Sequence, residues 1–538
     1  MLRKVFFALD SRAGISLPAG SILVLPSSDS WNDFGYQTFF DFVVIDGQVG
    51  RKKFHLAFLD SSQKVREVIE AAVQIPGEAV GAHELPEFFS LQTEMERYRE
   101  LVSEYGPEDA QDILRALHDL VAIRAFEPSA SWLDAALNSP HFGMSFVRNS
   151  EQNFAFHNAA SVLHGVEHED VQAAPTTLVL EFQLAGFASS HSFDFTFSPT
   201  SLPPRRVAVM IGKNGVGKSR ALNELVSSAI SGGGNFHDGL GNMPRLSRIL
   251  ALCTPGEAEH TFPAEPTFPA RFQYKRISSN ASAGDQTLPS ILVNLSRDKR
   301  RIGEHLRWDI FNESVQQIVE FSDLALTVRD DVASHGGLID VERLWRFGEQ
   351  ASAEARQKVS LRGHLMRRVD GGAVSLSSGQ LSFIRLAAQL CTFIENGSLV
   401  LMDEPETHLH PNLITGLVAM LHKILTLTGS IAIAATHSAY LVREVPQSQV
   451  HIIRQSRESS RVEIIKPRLR TFGADVGAIS HFVFGDDIVN RLIKELEPKI
   501  HGDIATAEEW LASIEAELST EAFMLLTREI EKRRGSVQ

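Results

Sequence analysis

Between an apolar run, Val207 to Ile211, and a helical stretch from Lys218 to about Ile230 stand eight residues: Gly212-Lys213-Asn214-Gly215-Val216-Gly217-Lys218-Ser219. They fit G-x-x-x-x-G-K-[ST] in full, and a strand before with a helix after is the context that gives this spacing its meaning. Glycines let backbone N–H groups turn inward around phosphate oxygens, and the start of the helix adds a favourable dipole. The expected cradle is Gly212, Asn214, Gly215, Gly217, Lys218, Ser219 and Arg220. Lys218 would reach the β- and γ-phosphates, and the Ser219 hydroxyl would ligate Mg²⁺.

A second apolar run, Leu399 to Met402, ends in Asp403-Glu404. A buried strand would deliver this pair at its carboxyl end, where open α/β sheets place ligands. Asp403 would orient Mg²⁺, and Glu404 would polarise an attacking water. Ile431 to Ala435 repeats the logic and leads into Thr436-His437-Ser438, with His437 placed to contact a γ-phosphate. Leu376-Ser377-Ser378-Gly379-Gln380 opens an apolar helix, expected over Gln380–Ile394. The order continues with a strand at Leu399–Met402, a helix at Leu413–Leu427 and a strand at Ile431–Ala435. This alternation argues for α/β architecture: a largely parallel sheet with helices on its faces. Thr176 to Phe197 reads as two opening strands, and Gly232-Gly233-Gly234 ends the helix after the glycine loop. Asn235 to Leu288 is rich in Pro, Gly and Ser and reads as loops with short strands. Ile291 to about Arg368 reads mainly as helices. Strands follow near Val450–Ile453 and Val462–Ile465, then helices to the end.

The glycine loop, the pentapeptide at Leu376 and the Asp403-Glu404 strand together resemble an ATPase head of the ABC type. The run Asp403-Glu404-Pro405-Glu406-Thr407-His408-Leu409-His410-Pro411 narrows the resemblance. Transporter ATPases usually follow their D-E-P with a T-S-A-L-D-like run, whereas E-x-x-L-H-P is similar to the soluble SMC/RecF/OLD-like (AAA_21-like) group. Thr471-Phe472-Gly473-Ala474 and Val483-Phe484-Gly485-Asp486 also look like that group. The resemblance implies an ABC-ATPase head over residues 176–487, with a mixed, largely parallel sheet and a helical insert at about 290–370. It implies ATP and Mg²⁺, with Glu404 and His437 as the catalytic pair. It also implies that Ser377, Gly379 and Gln380 cap nucleotide held by a second head, so that the protein is a homodimer or higher homo-oligomer. Gln273 and Gln286 are candidates for the family's glutamine loop.

Two departures matter. Lys218 and Ser377 stand 159 positions apart, too few for the long coiled coil of an SMC protein. After His437 there is no acidic run like the metal-binding nuclease domain of OLD proteins. Heads of this kind resemble the ATPase subunits of Septu and retron-associated Septu-like anti-phage systems, which implies a separate nuclease or effector subunit. A DNA-repair clamp and a transporter ATP-binding subunit are the alternatives.

At 538 residues the chain exceeds one hydrophobic core, so a separate N-terminal α+β domain is expected over 1–170, with C-terminal helices over 488–538. Its strands would include Phe39–Ile45 and Phe54–Leu59 around an Asp46-Gly47 turn, with helices from Ser62 to Glu169. His164-Gly165-Val166-Glu167-His168 has the spacing of a zinc-peptidase pattern, but Gly165 weakens the helix that chemistry needs, so it reads as a chance surface match. Two cysteines, Cys253 and Cys391, cannot build a disulfide framework. No apolar run approaches the ~20 residues of a membrane span. The short apolar stretch Val5 to Leu9 does not make a signal peptide, so cytoplasm is the expected compartment. A net charge of −14 is unlike a protein that coats nucleic acid. Nucleic-acid contact would need a local patch such as Arg297-Asp298-Lys299-Arg300-Arg301, followed by Arg307, whose plainer reading is a solvated helix end.

Overall fold

Among the described residues, a six-stranded and a seven-stranded sheet are the largest of five. The computed structural model describes residues 3–484 and 504–536, except 29–34, 46–49, 60–63, 74, 76, 172–174, 254–260, 268–269, 279–286, 317, 330–336, 347, 371, 408, 456–460 and 519. Gln286, His408, Asp46-Gly47 and Gly485-Asp486 lie outside the described residues. In the N-terminal part, β1 (Val5–Ala8), β2 (Ile22–Pro26), β3 (Phe39–Val44), β4 (Lys52–Phe58), β5 (Ala79–Gly81) and β6 (Phe88–Gln92) pair in the order β5-β1-β2-β3-β4-β6. All pairings are antiparallel except β1 with β2. Phe7, Phe40, Phe42, Phe54, Phe58 and Phe89 fill the core between this sheet and helices such as Met95–Tyr105. β5 and β6 interrupt a stretch that reads as continuous helix. β6 is five residues long and buried at every position, so it shows no period by which to tell strand from helix.

The second sheet forms on the glycine-loop strand. Ahead of it β7 (Thr177–Phe182) and β8 (His191–Thr196) pair antiparallel and, with β10 (Phe236–His237) on β7, make a separate three-stranded sheet; β9 (Val207–Gly212), β11 (Arg248–Cys253) and β12 (Gln273–Ser278) belong to the central one. An insert contributes β13 (Arg301–Ile302), β14 (His305–Leu306), β15 (Leu324–Thr327), β16 (Leu338–Asp340), β17 (Leu365–Val369) and β18 (Gly372–Ser375). Then come β19 (Leu399–Asp403), β20 (Ile431–Thr436), β21 (Val450–Gln455) and β22 (Val462–Ile465). The central sheet runs β12-β11-β19-β20-β9-β21-β22 and is parallel from β12 to β21, with β22 antiparallel at one edge. The expected mixed, largely parallel sheet is therefore the observed one. β9, β19 and β20 are buried along their whole length, as strands covered on both faces must be. Ala208 and Met210 face a core shared with the helix Lys218–Ser231 and the β7–β8 pair. Val207, Val209 and Ile211 face the helices Ser378–Phe393 and Pro411–Leu427 and the insert.

Two expectations are corrected. β11 and β12, expected only as short strands of a loop-rich stretch, are six-residue strands of the central sheet, with β12 at its edge and β11 paired directly to β19. The insert has the helices Leu288–Arg297, Arg307–Val315 and Glu349–Lys358, but it also holds a β13–β14 hairpin and an antiparallel sheet, β16-β15-β17-β18. Leu324 pairs with Arg367 and Leu326 with Leu365. Such short strands draw their stability from distant partners rather than from local pattern.

The N-terminal part sits against the amino ends of the central strands. Ser150 donates from its hydroxyl to Ser247 O just before β11, and its N–H donates to Arg271 O just before β12. Gly397, ahead of β19, packs so tightly under Phe154 that a Cβ there would lie 2.3 Å from the ring. Beside these contacts runs a buried ionic network. Arg99 grips Glu169 in a fork of 2.6 and 2.7 Å and reaches Glu395 at 2.8 Å. Arg307 meets the other Glu395 oxygen at 3.2 Å and caps the carbonyls of Cys391 and Ile394. Glu169 also accepts from Asn396 and from the Gly303 N–H, both at 2.8 Å. Burial alone would raise the Glu395 carboxyl, but Arg99 and Arg307 overcome this and hold it at about 2. Burial, with repulsion from Glu395, pushes Glu96 up to about 7.

Glu395→Gln should lower unfolding stability by roughly 3–5 kcal/mol near pH 7, because two buried guanidiniums lose their shared anion. Glu395 ionises in the folded state well below its ordinary 4.5, so its contribution is present above about pH 4.5 and lost as pH falls toward 2. Urea unfolding of wild type and variant across that window checks both; a variant as stable as wild type would leave the network without energetic weight. Glu96 has the opposite sign. Its folded form holds a proton that the unfolded chain releases, so stability falls as pH rises from about 4.5 to about 7. Glu96→Gln should flatten that slope in the same titration.

Candidate functional site

β19, β20 and β9 are neighbours in the sheet and parallel, so their carboxyl ends open at one edge. β9 ends at Gly212, where a Cβ would stand 2.6 Å from the Ile453 carbonyl, and the loop then passes Gly217 at φ +100° into the helix Lys218–Ser231. At Gly217 only glycine accommodates both that backbone and the Leu184 side chain, 2.9 Å from where a Cβ would sit. Lys218 folds back over the loop and donates to the carbonyls of Gly212 (2.9 Å) and Lys213 (3.2 Å). Burial pushes its ammonium down from the ordinary lysine range, while Glu404, Asp403 and Glu406 support the charge.

Asp403, at the end of β19, is 7% exposed. Burial pushes its carboxyl up, against hydrogen bonds from Thr261 and Ser219. Thr261 Oγ1 donates to Oδ2 at 2.7 Å. Oδ1 is buried without a well-formed hydrogen bond, although the Ser219 hydroxyl is near enough to act on the carboxyl. An unspent carboxylate oxygen beside a hydroxyl fits Mg²⁺, which at phosphates takes one or two protein oxygens and fills the rest of its shell with phosphate and water.

Glu404 takes φ +46°, a left-handed conformation that side chains other than glycine, Asn and Asp rarely adopt. Its N–H donates to Ala435 O at 2.8 Å, which ties the turn after β19 to β20. The result turns its carboxylate toward His437, whose Nδ1 stands 3.1 Å from Glu404 Oε1 and 4.0 Å from Glu406 Oε1. His437 is about half exposed, whereas Glu406 is buried, accepts from the Thr436 hydroxyl, and is pushed up by burial.

Thus Gly212, Gly215, Gly217, Lys218, Ser219, Asp403, Glu404 and His437 gather at one edge. Asn214 lies exposed on the loop there. Arg220 is exposed at the start of the helix and paired with Glu224 at 3.0 Å one turn along. Ser377 and Gln380 close on each other instead: Ser377 Oγ accepts from Gln380 N at 3.2 Å, and Gln380 Oε1 accepts from Ser377 N at 3.1 Å. This capping box starts the pentapeptide helix and leaves Ser377 exposed. Gly379 has a packing role as well, since a Cβ there would lie 2.5 Å from Leu413 Cδ1. His410 caps the helix Pro411–Leu427. Gln273 begins β12, its N–H bound to Ser150 Oγ, at the opposite edge of the sheet from the phosphate loop. No motif marks Thr261, which stands in a Pro-rich stretch of the sequence.

Two further motifs take definite forms. His164 and His168 lie on separate 3-10 turns divided by Gly165 at φ +134°. The basic run is largely engaged: Arg300 pairs with Asp298 at 2.6 Å, Lys299 with Glu349 at 3.2 Å, and Arg301 donates to Glu304 O. Arg307, expected beside them on the surface, is 1% exposed and belongs to the buried network.

Residues 296–443 match the AAA_21 family, described as "AAA domain, putative AbiEii toxin, Type IV TA system". The matched stretch takes in the pentapeptide helix, Asp403-Glu404 and His437. A curated relative, "Protein ea59" of Escherichia phage lambda, is 26% identical over 499 residues, covering 86% of each chain. Among solved structures, the SMC head domain from Thermotoga maritima is similar at 12% identity and a TM-score of 0.27, over 55% of this chain and 100% of that one. An SMC head bound to the C-winged helix domain of ScpA is similar at 13% identity and a TM-score of 0.24, over 55% and 98%. Together with the Lys218 loop on its parallel sheet, the family match marks the chain as an ATP-binding ATPase. No helix among the described residues is long and apolar enough to cross a membrane.

The left-handed backbone at Glu404 costs about 1–2 kcal/mol for a residue with a Cβ, against the roughly 0.5–1 kcal/mol of extra chain entropy that a glycine loses. Glu404→Gly should therefore keep or slightly raise thermal stability. A loss of more than about 1 kcal/mol would contradict the strain argument.

Proposed function

We propose that this protein is an Mg²⁺-dependent ATPase whose heads pair around ATP, and that the pairing controls a separate effector, most simply a nuclease in anti-phage defence. The observation that carries the proposal is a half-site. Lys218, Ser219, Asp403, Glu404 and His437 share one sheet edge, while exposed Ser377, with Gly379, starts a helix outside it. A second copy presenting Ser377 and the backbone N–H groups near Gly379 would complete the phosphate cage, with its helix start adding favourable dipole.

Within one site, Lys218 exchanges its two carbonyl partners for β- and γ-phosphate oxygens, a stronger charge-assisted pairing. Ser219 and Asp403 would hold Mg²⁺, which when bound supplies neutralisation of phosphate charge. Glu404 accepts a proton from the attacking water as its oxygen bonds to the γ-phosphorus and the bond to the ADP oxygen breaks. His437 orients the Glu404 carboxylate through Nδ1 and meets the γ-phosphate from the exposed side. Loss of that phosphate removes what Ser377 of the second head binds, so the clamp opens.

The effector half of the proposal draws on the resemblance to defence ATPases. A family description that names a toxin–antitoxin system, and a relative encoded by a phage, are compatible with that setting. The alternative of a DNA clamp is weakened by the pairing of Arg300 with Asp298 and of Lys299 with Glu349; it predicts salt-sensitive DNA affinity that falls when Arg300 and Arg301 are changed.

Glu404→Gln should bind ATP, turn it over at least about 100-fold more slowly, and accumulate as an ATP-dependent dimer in light scattering. Ser377→Arg in the same background should abolish the dimer without abolishing ATP binding. Wild-type turnover in Glu404→Gln would remove Glu404 from the mechanism, and a monomer at saturating ATP would remove the clamp.

A further inference from the structure

We propose that Thr261 is the residue that sets the orientation of the Asp403 carboxylate, and so positions the cation site. The inference rests on reading Ser219 and Asp403 as that site. Thr261 lies outside the motifs that build it, and its hydroxyl donates to Asp403 Oδ2 at 2.7 Å with both residues buried. Its backbone is tethered in turn: the Asn223 side-chain amide, on the helix that begins with Lys218-Ser219, donates to Thr261 O at 2.9 Å. Phe262 is buried in the core, and Tyr274 OH donates to Pro263 O at 2.9 Å, so the residues after Thr261 are pinned as well. A chain of contacts thus runs from the phosphate-loop helix through Thr261 to the end of β19.

The consequence is geometric. The terminal torsion of an aspartate is broad and two-fold, so a carboxylate on a rigid strand can still turn about its last bond. Holding Oδ2 removes that freedom and leaves Oδ1 as the oxygen without a well-formed partner, on a carboxylate that the Ser219 hydroxyl also reaches. Partners of a metal-ligating carboxylate commonly govern metal affinity by this means. Thr261 acts through the Asp403 carboxylate, so it is a positioning residue.

Thr261→Val keeps the shape and removes the donor, whereas Thr261→Ser keeps the donor. The wild-type chain and both variants are titrated with Mn²⁺ in the presence of ATP, followed by electron paramagnetic resonance, and with ATP alone in chelator. Thr261→Val should weaken Mn²⁺ binding by roughly 10- to 100-fold, leave metal-free ATP affinity unchanged, and be rescued by Thr261→Ser. A Thr261→Val protein that binds Mn²⁺ as tightly as wild type overturns the inference alone. So does one that loses metal-free ATP binding to the same degree, since that marks a merely structural role. A wild-type chain that binds no ATP overturns the reading of the site and this inference with it.

Discussion

Glu395 is the point on which the two halves of the molecule depend. It follows directly on the pentapeptide helix and precedes β19, and it is buried with Arg99 on one side and Arg307 on the other. A buried carboxylate without such partners would be protonated or would exclude the fold that buries it. Here its two cations come from different regions: Arg99 from an N-terminal helix and Arg307 from the insert. Asn396 and Gly303 complete the arrangement by serving Glu169, the second anion of the network. The network adds little net stability compared with an apolar core of the same volume, but it is strict about register, because removing any one member strands the rest.

At the other edge of the same sheet the constraint is of a different kind. Parallel strands buried on both faces put all their freedom into the turns at their carboxyl ends. The loop after β9 needs glycine at a positive φ and leads into a helix start. The turn after β19 accepts a strained Glu404, held by the Ala435 carbonyl of the neighbouring strand. Lys218, Asp403 and Glu406 are each buried enough to move away from their ordinary ionisation, and each is steadied by the others' charge or by a hydroxyl. The charged groups of this edge are thus held in place by the protein itself.

The strands that carry these motifs were legible because they are long enough and apolar enough to announce themselves: Val207–Gly212, Leu399–Asp403 and Ile431–Thr436 each read as a continuous buried run ending in polar residues. What escaped had no local signature. β11 is as apolar as β19, but it lies in Pro- and Gly-rich surroundings, and its place is fixed by pairing with a strand about 150 residues later. β15 and β17 likewise find each other across some 40 residues. Arg307 looked like the end of a basic surface run because sequence order cannot show that the helix it starts turns inward. Thr261 has no spacing rule at all; only the folded chain brings it to Asp403.

The helix Ser378–Phe393 joins these two edges. Its sixteen residues span roughly 24 Å at 1.5 Å per residue, comparable to the length of the strands it covers. One end is an exposed capping box with Ser377 outermost; the other runs straight into Ile394 and Glu395, whose carbonyl and carboxylate Arg307 holds. Its middle, through Phe383, Ile384, Ala387 and Ala388, packs on the same core as Val400 and Met402 of β19. A rigid element fixed at three places cannot shift at one without loading the others. In this architecture the N-terminal part and the pentapeptide are therefore not independent attachments to an ATPase; they are seated at opposite ends of one helix that also backs the strand bearing Asp403 and Glu404.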